Sequence, residues 1–285
     1  MSGGMLTFTK MHGCGNDYIY FNCFEDPVEA PEQLAVRLSD RHKGVGGDGV
    51  ILICPSEIAD AKMRMFNLDG SEGKMCGNGI RCVAKYVFDH GIVRKKELKI
   101  ETLSGIKTCT VHERNGKAEA ITVDMGKAIL TPGKIPVNLT GEAVIGRKVL
   151  LAGEEREITC VSMGNPHCVI FGGDPDQLEL ERIGPGFERD PLFPEQVNTE
   201  FIQVLDDHTL KMRVWERGSG ETMACGTGAC ASAVAAVLNG YCPKGEDILV
   251  HLRGGDLTIN YTEERVLMTG EAVEVFTGQI LDAGC

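Results

Sequence analysis

Short apolar runs alternate along the chain with turns that are rich in glycine and aspartate. Clear examples are GVILI at residues 49–53 and CVIF at residues 168–171. Runs of this length that are bounded by turn residues are typical of β-strands. The pattern therefore predicts that much of the chain folds into sheet, with strands joined by tight turns.

One helix is predicted in each half of the chain, directly after a Cys-Gly-x-Gly element. In the first half, apolar residues recur at helical spacing at Ile80, Val83, Ala84 and Val87. In the second half, an alanine-rich run covers residues 229–238 and stops at Asn239-Gly240, a common C-terminal signal. We predict the α+β fold class, with two pseudo-symmetric domains, each a curved mixed sheet wrapped around a central helix.

The two halves resemble one another at a constant offset of 149 residues (225 − 76 = 149). Without any gap, KMRMFN at 62–67 matches KMRVWE at 211–216, and CGNG at 76–79 matches CGTG at 225–228. The same offset places Gly15-Asn16 over Gly164-Asn165. Because several unrelated motifs keep one register, chance is a poor explanation, and the halves read as copies of one unit.

The repeat sets the predicted domain boundaries. The first domain covers residues 1–128 and carries Cys76, and the second covers residues 129–270 and carries Cys225. Each half is long enough to bury a hydrophobic core of its own. The final segment, residues 271–285, contains a short apolar run that we expect to return to the first domain as a strand.

The charge and hydropathy of the chain limit the kinds of molecule that it is expected to bind. The formal net charge is −12 and the longest basic run is Arg94-Lys95-Lys96, which disfavours nucleic-acid binding because phosphates are neutralised by clustered cations. No apolar stretch approaches the roughly 18 residues of a membrane span, and the first residues lack signal-peptide features. We expect a cytoplasmic protein that acts on a small molecule and binds neither nucleic acid nor membrane. A homodimer is compatible with the sequence.

The chain has 12 cysteines, and in the absence of an export signal they are expected to be reduced thiols. Most are expected to be small buried hydrophobic residues. None are spaced as Cys-x-x-Cys, and the closest pairs are Cys76 with Cys82 and Cys225 with Cys230. Residues five or six apart on a helix do not share a face, so we expect no metal site.

The two Cys-Gly-x-Gly elements each place a thiol at the start of a helix. The first turn of a helix has unpaired N–H groups and about half a positive charge, which lowers a thiol pKa from about 8.5 toward neutrality. The glycines let backbone approach a ligand, and the same N–H groups can hold a carboxylate. One such element is more often a structural cysteine before a turn, but two in matching register favour an acid–base pair.

Two matched thiols suit a reaction with mirror-related proton transfers. Racemisation of an amino acid needs a base on one face of the α-carbon and an acid on the other, and Cys76 and Cys225 supply both. Preorganised donors and a dry site must stabilise the developing carbanion. No lysine-centred pyridoxal-phosphate motif is recognisable, so we expect that no cofactor is needed.

Eight motifs, in order along the chain, resemble those of the diaminopimelate epimerase family. In the first half they are MHGCGND (11–17), RHKGVGGD (41–48), FNLDGSE (66–72) and MCGNGIRC (75–82). In the second half they are GNPH (164–167), NTE (198–200), WERG (215–218) and ACGTG (224–228). The resemblance implies cofactor-independent epimerisation of LL-diaminopimelate to meso-diaminopimelate by a two-thiol acid/base mechanism, in lysine and peptidoglycan precursor biosynthesis.

The resemblance also implies the residues of the site. The catalytic groups are Cys76 and Cys225. The substrate contacts are Asn16, Asn67, Gly77, Asn78, Asn165, Asn198, Glu216, Arg217, Gly226 and Thr227. The chemistry agrees with this set, because Glu216 can take an ammonium and Arg217 can fork onto a carboxylate. His167 is a candidate for biasing the ionisation of a thiol.

Single positions in this set keep an alternative interpretation. A turn-capping role is the alternative for each asparagine, and a core histidine with satisfied hydrogen bonds is the alternative for His167. The chain also departs from the family at Gly49, where glutamine is common. The repeat pairs Gly49 with Asn198 (198 − 49 = 149), so one half lacks a polar side chain that the other has, and Gly49 is not assigned as a contact.

Other functions remain open on the sequence alone. The main alternative is a racemase of another amino acid, such as proline or hydroxyproline, whose family shares the two-cysteine logic. A non-racemising isomerase of the phenazine-biosynthesis type is disfavoured, because that group lacks the cysteine pair. A binding module with structural thiols would require that turnover be absent.

Overall fold

The computed structural model describes residues 5–280. The chain divides into two compact units, Met1–Val123 together with Gly270–Cys285, and Asp124–Thr269. Each unit has its own buried cluster of apolar side chains. Within residues 5–280, no helix is both long enough and apolar enough to cross a membrane.

The first half of the chain contains the predicted strand at residues 49–53 and the first of the two predicted helices. Its strands are β1 (Leu6–Gly13), β2 (Asn16–Asn22), β3 (Gly49–Cys54), β4 (Ala61–Asn67), β5 (Glu72–Gly73), β6 (Glu97–Thr102), β7 (Gly105–Arg114) and β8 (Lys117–Gly126). Its helices are α1 (Pro31–Ser39) and α2 (Gly77–Asp89). The apolar run at residues 49–53 is therefore a strand, as predicted, and the helix after the first Cys-Gly-x-Gly element is α2.

The rest of the chain repeats this succession of elements. Its strands are β9 (Arg147–Leu151), β10 (Glu154–Ser162), β11 (Pro166–Phe171), β12 (Asn198–Asp206), β13 (Thr209–Glu216), β14 (Gly220–Glu221), β15 (Asp247–Leu252), β16 (Gly255–Tyr261), β17 (Val266–Gly270) and β18 (Val273–Ile280). Its helices are α3 (Leu180–Glu188) and α4 (Gly226–Leu238), with short 3-10 turns at Pro132–Lys134 and Pro175–Gln177. The alanine-rich run is therefore a helix that begins directly after Cys225.

The first unit has a mixed sheet with the strand order β18, β1, β2, β3, β4, β6, β7. β2 is parallel to β3 and β4 is parallel to β6, whereas the other neighbours are antiparallel. Parallel neighbours need crossover connections, and α1 and α2 lie in them. The C-terminal strand β18 pairs along β1, from Leu6 opposite Ile280 to His12 opposite Val273. Residues 281–285 of the predicted C-terminal segment lie outside the described residues.

The second unit has the corresponding strand order β9, β10, β11, β12, β13, β15, β16. Again two neighbours are parallel, β11 with β12 and β13 with β15, and α3 and α4 lie in the crossovers. The offset of the sequence repeat is kept in the elements, since α2 begins at Gly77 and α4 at Gly226 (226 − 77 = 149). The repeated sequence therefore folds twice into the same topology.

In each unit the sheet wraps around the helix that follows the Cys-Gly-x-Gly element. α2 contacts β1, β2, β4, β6 and β7, and α4 contacts β10 to β13, β15 and β16. A helix that touches strands across a whole sheet lies in its concave face. The enclosure explains the alanine-rich sequence of α4, in which residues 229–236 are all buried, because only small side chains fit on every side of an enclosed helix. The predicted fold class is confirmed.

The prediction of one helix per half was incomplete, because each unit has a second helix of nine residues, α1 and α3. α3 contains Pro185 and two glycines, which are poor helix formers. Tertiary packing overrides that propensity, since Leu180 and Phe187 of α3 are buried in the apolar cluster of the second unit. These helices depend on the sheet beneath them, and a periodicity search over so few residues gives a weak signal.

Candidate active site

Cys76 is the N-cap residue of α2. Its backbone is extended (φ −130°, ψ 122°), and its sulfur accepts a hydrogen bond of 3.4 Å from the Gly79 N–H. The thiol thereby satisfies a donor that the first helical turn would otherwise leave unpaired. A Cβ at Gly79 would lie 2.6 Å from Ile51 Cδ1, so glycine allows the turn to pack directly onto β3. Cys76 is half-buried.

Two of the predicted asparagines lie beside the Cys76 sulfur. The Cys76 thiol donates to Asn16 Oδ1 at 3.2 Å, and Asn78 Nδ2 donates to the same oxygen at 3.4 Å. Asn16 is oriented in turn by Asp48, whose Oδ2 accepts from Asn16 Nδ2 at 2.7 Å. The amide of Asn16 is thus held by contacts on both of its ends. Gly77 lies buried in the first turn of α2 beside them.

The motif at residues 41–48 supports Asn16 through charged groups. Arg41 Nη2 lies 2.7 Å from Asp17 Oδ1 and 3.0 Å from Asp48 Oδ1, and Lys10 also pairs with Asp17. Burial of Asp17 opposes its ionisation, but the hydrogen bonds and charges of Arg41 and Lys10 outweigh it, so the pKa of Asp17 is lowered. This cluster keeps Asp48 in place to accept from Asn16.

Tyr18 lies next to Cys76 and was missed by the sequence analysis. Burial, followed by the neighbouring Cys76, raises the pKa of Tyr18 well above its ordinary value. The sequence held a signal for it, because the repeat pairs Tyr18 with His167 (167 − 18 = 149). Tyr18 occupies in the first unit the place that His167 occupies in the second.

Gly49 has no room for a side chain. A Cβ there would lie 2.1 Å from the Phe66 carbonyl oxygen and 2.9 Å from Tyr18 Cε1. Gly49 pairs with Asn67 across β3 and β4, so the clash would be with the backbone of the neighbouring strand. A polar side chain is common in the family at this position. In this chain the backbone of β4 and the ring of Tyr18 occupy the space that such a side chain would need.

We predict that Gly49→Gln lowers the free energy of unfolding by about 2–3 kcal/mol, because β3 or β4 must shift to admit the side chain. Urea unfolding of the purified variant measures the loss. The control is Gly173→Gln, since nothing lies within 4 Å of a Cβ at Gly173, and its change should stay within about 0.5 kcal/mol. Equal stability of the two variants would contradict the packing interpretation.

Asn67 takes part in the turn that follows β4. Its Nδ2 donates to Ser71 Oγ at 3.0 Å, and its backbone N–H donates to the Ser71 carbonyl at 2.9 Å. The side chain is half-buried, so the amide stabilises the turn and still reaches solvent. The structure brings Asn16, Gly77 and Asn78 to Cys76, and Asn67 to this turn.

Cys225 is the N-cap residue of α4 and has the same geometry as Cys76. Its backbone is extended (φ −117°, ψ 105°), and its sulfur accepts from the Gly228 N–H at 3.3 Å. The Thr227 hydroxyl lies 3.5 Å from the same sulfur. Gly226 is buried at the first position of α4. Cys225 differs from Cys76 in exposure, since only 5% of it is accessible.

The expected lowering of the thiol pKa is wrong for Cys225. Burial raises the pKa of Cys225 well above its ordinary value, and the carboxylates of Glu216 and Glu200 raise it further. The hydrogen bonds from Thr227 and Gly228 act in the opposite direction but are outweighed. The helix N-terminus is present as predicted. Its stabilisation of a thiolate is smaller than the free-energy cost of desolvating that thiolate in a buried, negatively charged environment.

A chain of hydrogen bonds leads from Cys225 to a buried acid. Thr227 Oγ1 accepts from Asn165 Nδ2 at 3.2 Å, and Asn165 Oδ1 lies 3.0 Å from His167 Nε2. His167 Nδ1 lies 2.7 Å from Glu200 Oε1, and both side chains are fully buried. The carboxylate fixes the orientation of the imidazole, and the imidazole fixes that of Asn165 beside Thr227.

Glu200 was present in the quoted NTE motif but was not assigned a role. Burial raises the pKa of Glu200, although His167 lowers it, and Glu216 adds to the rise. A Cβ at Gly228 would lie 2.7 Å from Glu200 Oε1, so the carboxyl group sits directly against the first turn of α4. The strand around it is polar at Asn198 and Thr199 as well, so the sequence held no separate signal for this role, and the burial of residues 198–202 is visible only in the structure.

The remaining predicted contacts meet at the end of β13. Asn198 Nδ2 donates to the Pro166 carbonyl at 2.8 Å, and Asn198 Oδ1 accepts from the Arg217 N–H at 2.9 Å. The Arg217 guanidinium donates through Nη1 to the Glu195 carbonyl at 2.9 Å. Glu216 accepts from the Thr222 hydroxyl. Asn198 therefore positions the backbone of Arg217. The negative charge of Glu216 raises the pKa of Cys225.

The family model of diaminopimelate epimerase matches residues 8–131 and 159–275. These stretches contain both N-cap cysteines and the polar side chains around each of them. The chain belongs to the diaminopimelate epimerase family. Membership of the diaminopimelate epimerase family confirms the resemblance that the eight motifs indicated.

Bacterial members of the family are similar to this chain over nearly its whole length. The diaminopimelate epimerase of Acetivibrio thermocellus is 56% identical over 277 residues, which cover 96% of this chain and 98% of that protein. The diaminopimelate epimerase of Agathobacter rectalis is 52% identical over 286 residues, covering 96% and 99% respectively. Coverage of this extent includes both units and all of the predicted site residues.

Solved structures of lower identity have the same fold. The PhzF-family phenazine biosynthesis protein of Bacillus anthracis has a TM-score of 0.71 at 17% identity, covering 98% of this chain and 99% of that one. A hydroxyproline epimerase of Agrobacterium vitis has a TM-score of 0.68 at 15% identity, covering 98% and 92%. At these identities the comparison shows that the diaminopimelate epimerase family shares its architecture with these proteins.

Proposed function

We propose that this chain is an isomerase that converts LL-diaminopimelate to meso-diaminopimelate, in lysine and peptidoglycan precursor synthesis, without pyridoxal phosphate. The observation that carries the proposal is a thiol at the N-cap of the central helix in each unit, in a chain 56% identical to a protein named diaminopimelate epimerase. Cys76 and Cys225 are proposed as its acid and base.

The proton transfers balance between the two thiols. One cysteine, as thiolate, removes the α-proton and becomes a thiol, which leaves the electron pair on the substrate. The other cysteine, as thiol, gives its proton to the opposite face of the α-carbon and becomes a thiolate. The pair carries one negative charge before and after the reaction, and the reverse reaction uses the same groups with exchanged roles.

The helix N-termini supply the stabilisation that a weakly acidic C–H bond requires. Proton removal spreads negative charge onto the α-carboxylate, and unpaired N–H groups of a first helical turn are preorganised donors for such an anion. Gly77 and Gly226 occupy the first positions of α2 and α4, where the absence of a side chain lets the carboxylate approach the backbone. Asn78 and Thr227, the next residues, add side-chain donors.

We assign the proton to Cys225 in the resting enzyme. Cys225 is buried, and the carboxylates of Glu216 and Glu200 oppose its ionisation. Because the reaction needs one thiolate, we propose that the half-buried Cys76 becomes the base once it has released the proton that it donates to Asn16 Oδ1. His167 acts as a positioning residue in this scheme, since it reaches Cys225 through Asn165 and Thr227.

Diaminopimelate has a second amino-acid head that does not react and must be held in place. Arg217 is the proposed partner of a substrate carboxylate, and Glu216 the proposed partner of an ammonium. In the structure the Arg217 guanidinium donates through Nη1 to the Glu195 carbonyl. A guanidinium has five N–H donors, so this bond anchors the side chain and leaves donors for a carboxylate.

We predict that Arg217→Lys weakens substrate binding by roughly tenfold or more, because an ammonium cannot replace the two parallel hydrogen bonds of a guanidinium. The loss should fall on both KM and kcat, since a small displacement of the substrate spoils its alignment with the thiols. Steady-state kinetics and the melting temperature of the same variant test this prediction.

The matched control for Arg217 is Arg182→Lys, because Arg182 is an exposed arginine of the same unit whose guanidinium pairs with the neighbouring Glu179. The control should leave both kinetic constants and the melting temperature unchanged. If Arg217→Lys lowers the melting temperature and leaves KM unaltered, Arg217 is a scaffold residue that anchors residue 195, and its assignment to the substrate is wrong.

Exchange of the α-proton tests the function directly. The enzyme is incubated in deuterated water with LL-diaminopimelate, and in parallel with L-proline and hydroxyproline. We expect deuterium at the α-carbon and formation of the meso isomer with diaminopimelate only. Exchange with proline or hydroxyproline in preference to diaminopimelate would support the alternative racemase, and absence of exchange with all three would favour a binding module.

We further propose that the enzyme works in the cytoplasm, because an acid–base thiol pair must stay reduced and that compartment keeps thiols reduced. A homodimer remains a prediction. Light scattering of the purified protein tests it, with an expected mass of twice the chain mass of 30.8 kDa. A mass of one chain at micromolar concentration would contradict it.

A further inference from the structure

Cys23 and Cys54 lie side by side where the parallel strands β2 and β3 end. The strand register pairs Asn22 with Ile53, and the Cys23 N–H continues the ladder with a hydrogen bond of 2.9 Å to the Ile53 carbonyl. Cys23 and Cys54 are the next pair in the same register. Neighbouring strands are about 4.8 Å apart, which lies within the Cα separation of roughly 4.4–6.8 Å that a disulfide spans.

The two thiols lie on the same part of the first unit. Both pack on the edge of its apolar cluster, next to Val28, and both remain partly exposed. They are close enough for each to shift the pKa of the other. Because the strand register already brings the two backbones within disulfide reach, rotation of the side chains is enough for the sulfurs to meet, and the pair is open to a small reagent.

The surroundings make one sulfur of the pair a nucleophile. The neighbouring Cys54 lowers the pKa of Cys23, and the Val28 N–H, which acts on Cys23 and not on Cys54, lowers it further against burial. The pKa of Cys54 is raised, first by the neighbouring Cys23 and then by burial, although the positive charges of Arg64 and Lys62 oppose the rise. Cys23 is the sulfur that attacks, and Cys54 is the sulfur that keeps its proton until later.

We propose that Cys23 and Cys54 are a modification site that forms a reversible disulfide with a small-molecule disulfide as oxidant. The Cys23 thiolate attacks one sulfur of the oxidant and expels a thiolate. Cys54 then loses its proton to water, attacks Cys23 in the mixed disulfide and expels the second thiol. The protein loses two S–H hydrogens and gains one S–S bond, and the oxidant is reduced to two thiols.

The site is separate from the thiol of the first unit that the proposed reaction uses. β2 begins at Asn16, which contacts Cys76, and ends next to Cys23 after seven residues, a distance of about 20 Å. The disulfide can therefore form without a bond to Cys76, and the proposal does not depend on the substrate of the enzyme.

A second cysteine pair in the chain provides an internal control. Cys160 and Cys168 are opposite each other on the antiparallel strands β10 and β11. They are only 1% and 0% exposed, and burial, followed by the neighbouring Cys160, raises the pKa of Cys168. Adjacent positions on neighbouring strands are thus common to both pairs, whereas access to solvent and a lowered thiol pKa distinguish Cys23 and Cys54.

The test is a titration of the folded enzyme with mixtures of oxidised and reduced glutathione. Free thiols are then blocked with N-ethylmaleimide at low pH, and the digested protein is mapped by mass spectrometry. We expect a linked peptide that joins Cys23 to Cys54, that grows with the share of oxidised glutathione and that disappears with dithiothreitol. Cys160 and Cys168 should be blocked only after unfolding.

Two variants make the outcome decisive. In Cys54→Ser, Cys23 should stop at the mixed disulfide and carry one glutathione, which dithiothreitol removes. In Cys76→Ala/Cys225→Ala, the link between Cys23 and Cys54 should form as in the wild type, whatever the activity of the enzyme. Wild-type protein in which Cys23 keeps its glutathione, or in which Cys23 and Cys54 both remain free at full oxidation, would overturn the proposal.

Discussion

Replacing Cys76 or Cys225 with serine is expected to lower kcat/KM for epimerisation by at least about 10²–10⁴-fold, the contribution of a general acid or base. The serine hydroxyl has a far higher pKa than a thiol, so it cannot remove an α-proton near neutral pH. Serine is nearly the size of cysteine and is a preferred N-cap residue, and both cysteines are N-caps. The helices should therefore form, and the loss should be one of chemistry.

Cysteines elsewhere on the same helices provide the matched controls. Cys82 lies on α2 and Cys230 on α4, both fully buried and beyond the first helical turn. Cys82→Ala and Cys230→Ala should keep near-normal turnover, with a loss of stability of about 1 kcal/mol for the removed sulfur. Circular dichroism reports the fold of all four variants. Near-normal turnover in either serine variant would remove that cysteine from the proposed mechanism.

Replacing His167 with leucine is expected to destabilise the enzyme by about 3 kcal/mol, because it leaves the buried carboxyl group of Glu200 without its partner. His167 and Glu200 are both fully buried and 2.7 Å apart. Glu200 Oε2 already has no hydrogen-bond partner, so the structure offers little to compensate. Urea unfolding at pH 7 measures the loss.

The stability of His167→Leu is expected to depend on pH. Burial already raises the pKa of Glu200, and His167 is the main group that opposes the rise. In His167→Leu the folded protein should therefore hold a proton that the unfolded chain releases above about pH 4.3. A group whose folded pKa is raised loses stability as the pH rises between the unfolded and the folded pKa. The variant should accordingly regain stability on acidification to about pH 5.

The double variant His167→Leu/Glu200→Leu separates the charge from the packing. Replacing both members of a buried pair with apolar side chains is often neutral, so the double variant should recover most of the stability and lose the pH dependence. A double variant as unstable as the single one would show that shape at this position, rather than the unpaired carboxyl group, decides stability. Turnover should stay low in both, since Asn165 has lost its contact.

Local patterns in the sequence determined the family, the repeat and the positions of the two thiols. The constant offset of 149 residues placed Cys76 over Cys225, and both are N-caps of equivalent helices. This was predictable because an N-cap, a glycine turn and an apolar period are properties of a few neighbouring residues. The repeat also matches Asn16 with Asn165. Asn16 contacts the Cys76 sulfur, and Asn165 contacts Thr227 beside Cys225.

Only the tertiary structure decided what surrounds each thiol. Burial and the carboxylates of Glu200 and Glu216 raise the pKa of Cys225 against the helix N-terminus, and the Phe66 carbonyl leaves no space for a side chain at Gly49. Desolvation, charge and steric exclusion depend on strands that are distant in sequence and adjacent in the sheet. The sequence by itself therefore determined which residues begin the two helices, and the packing around Cys225 determined that its thiol gives up its proton less readily than the helix N-terminus alone predicts.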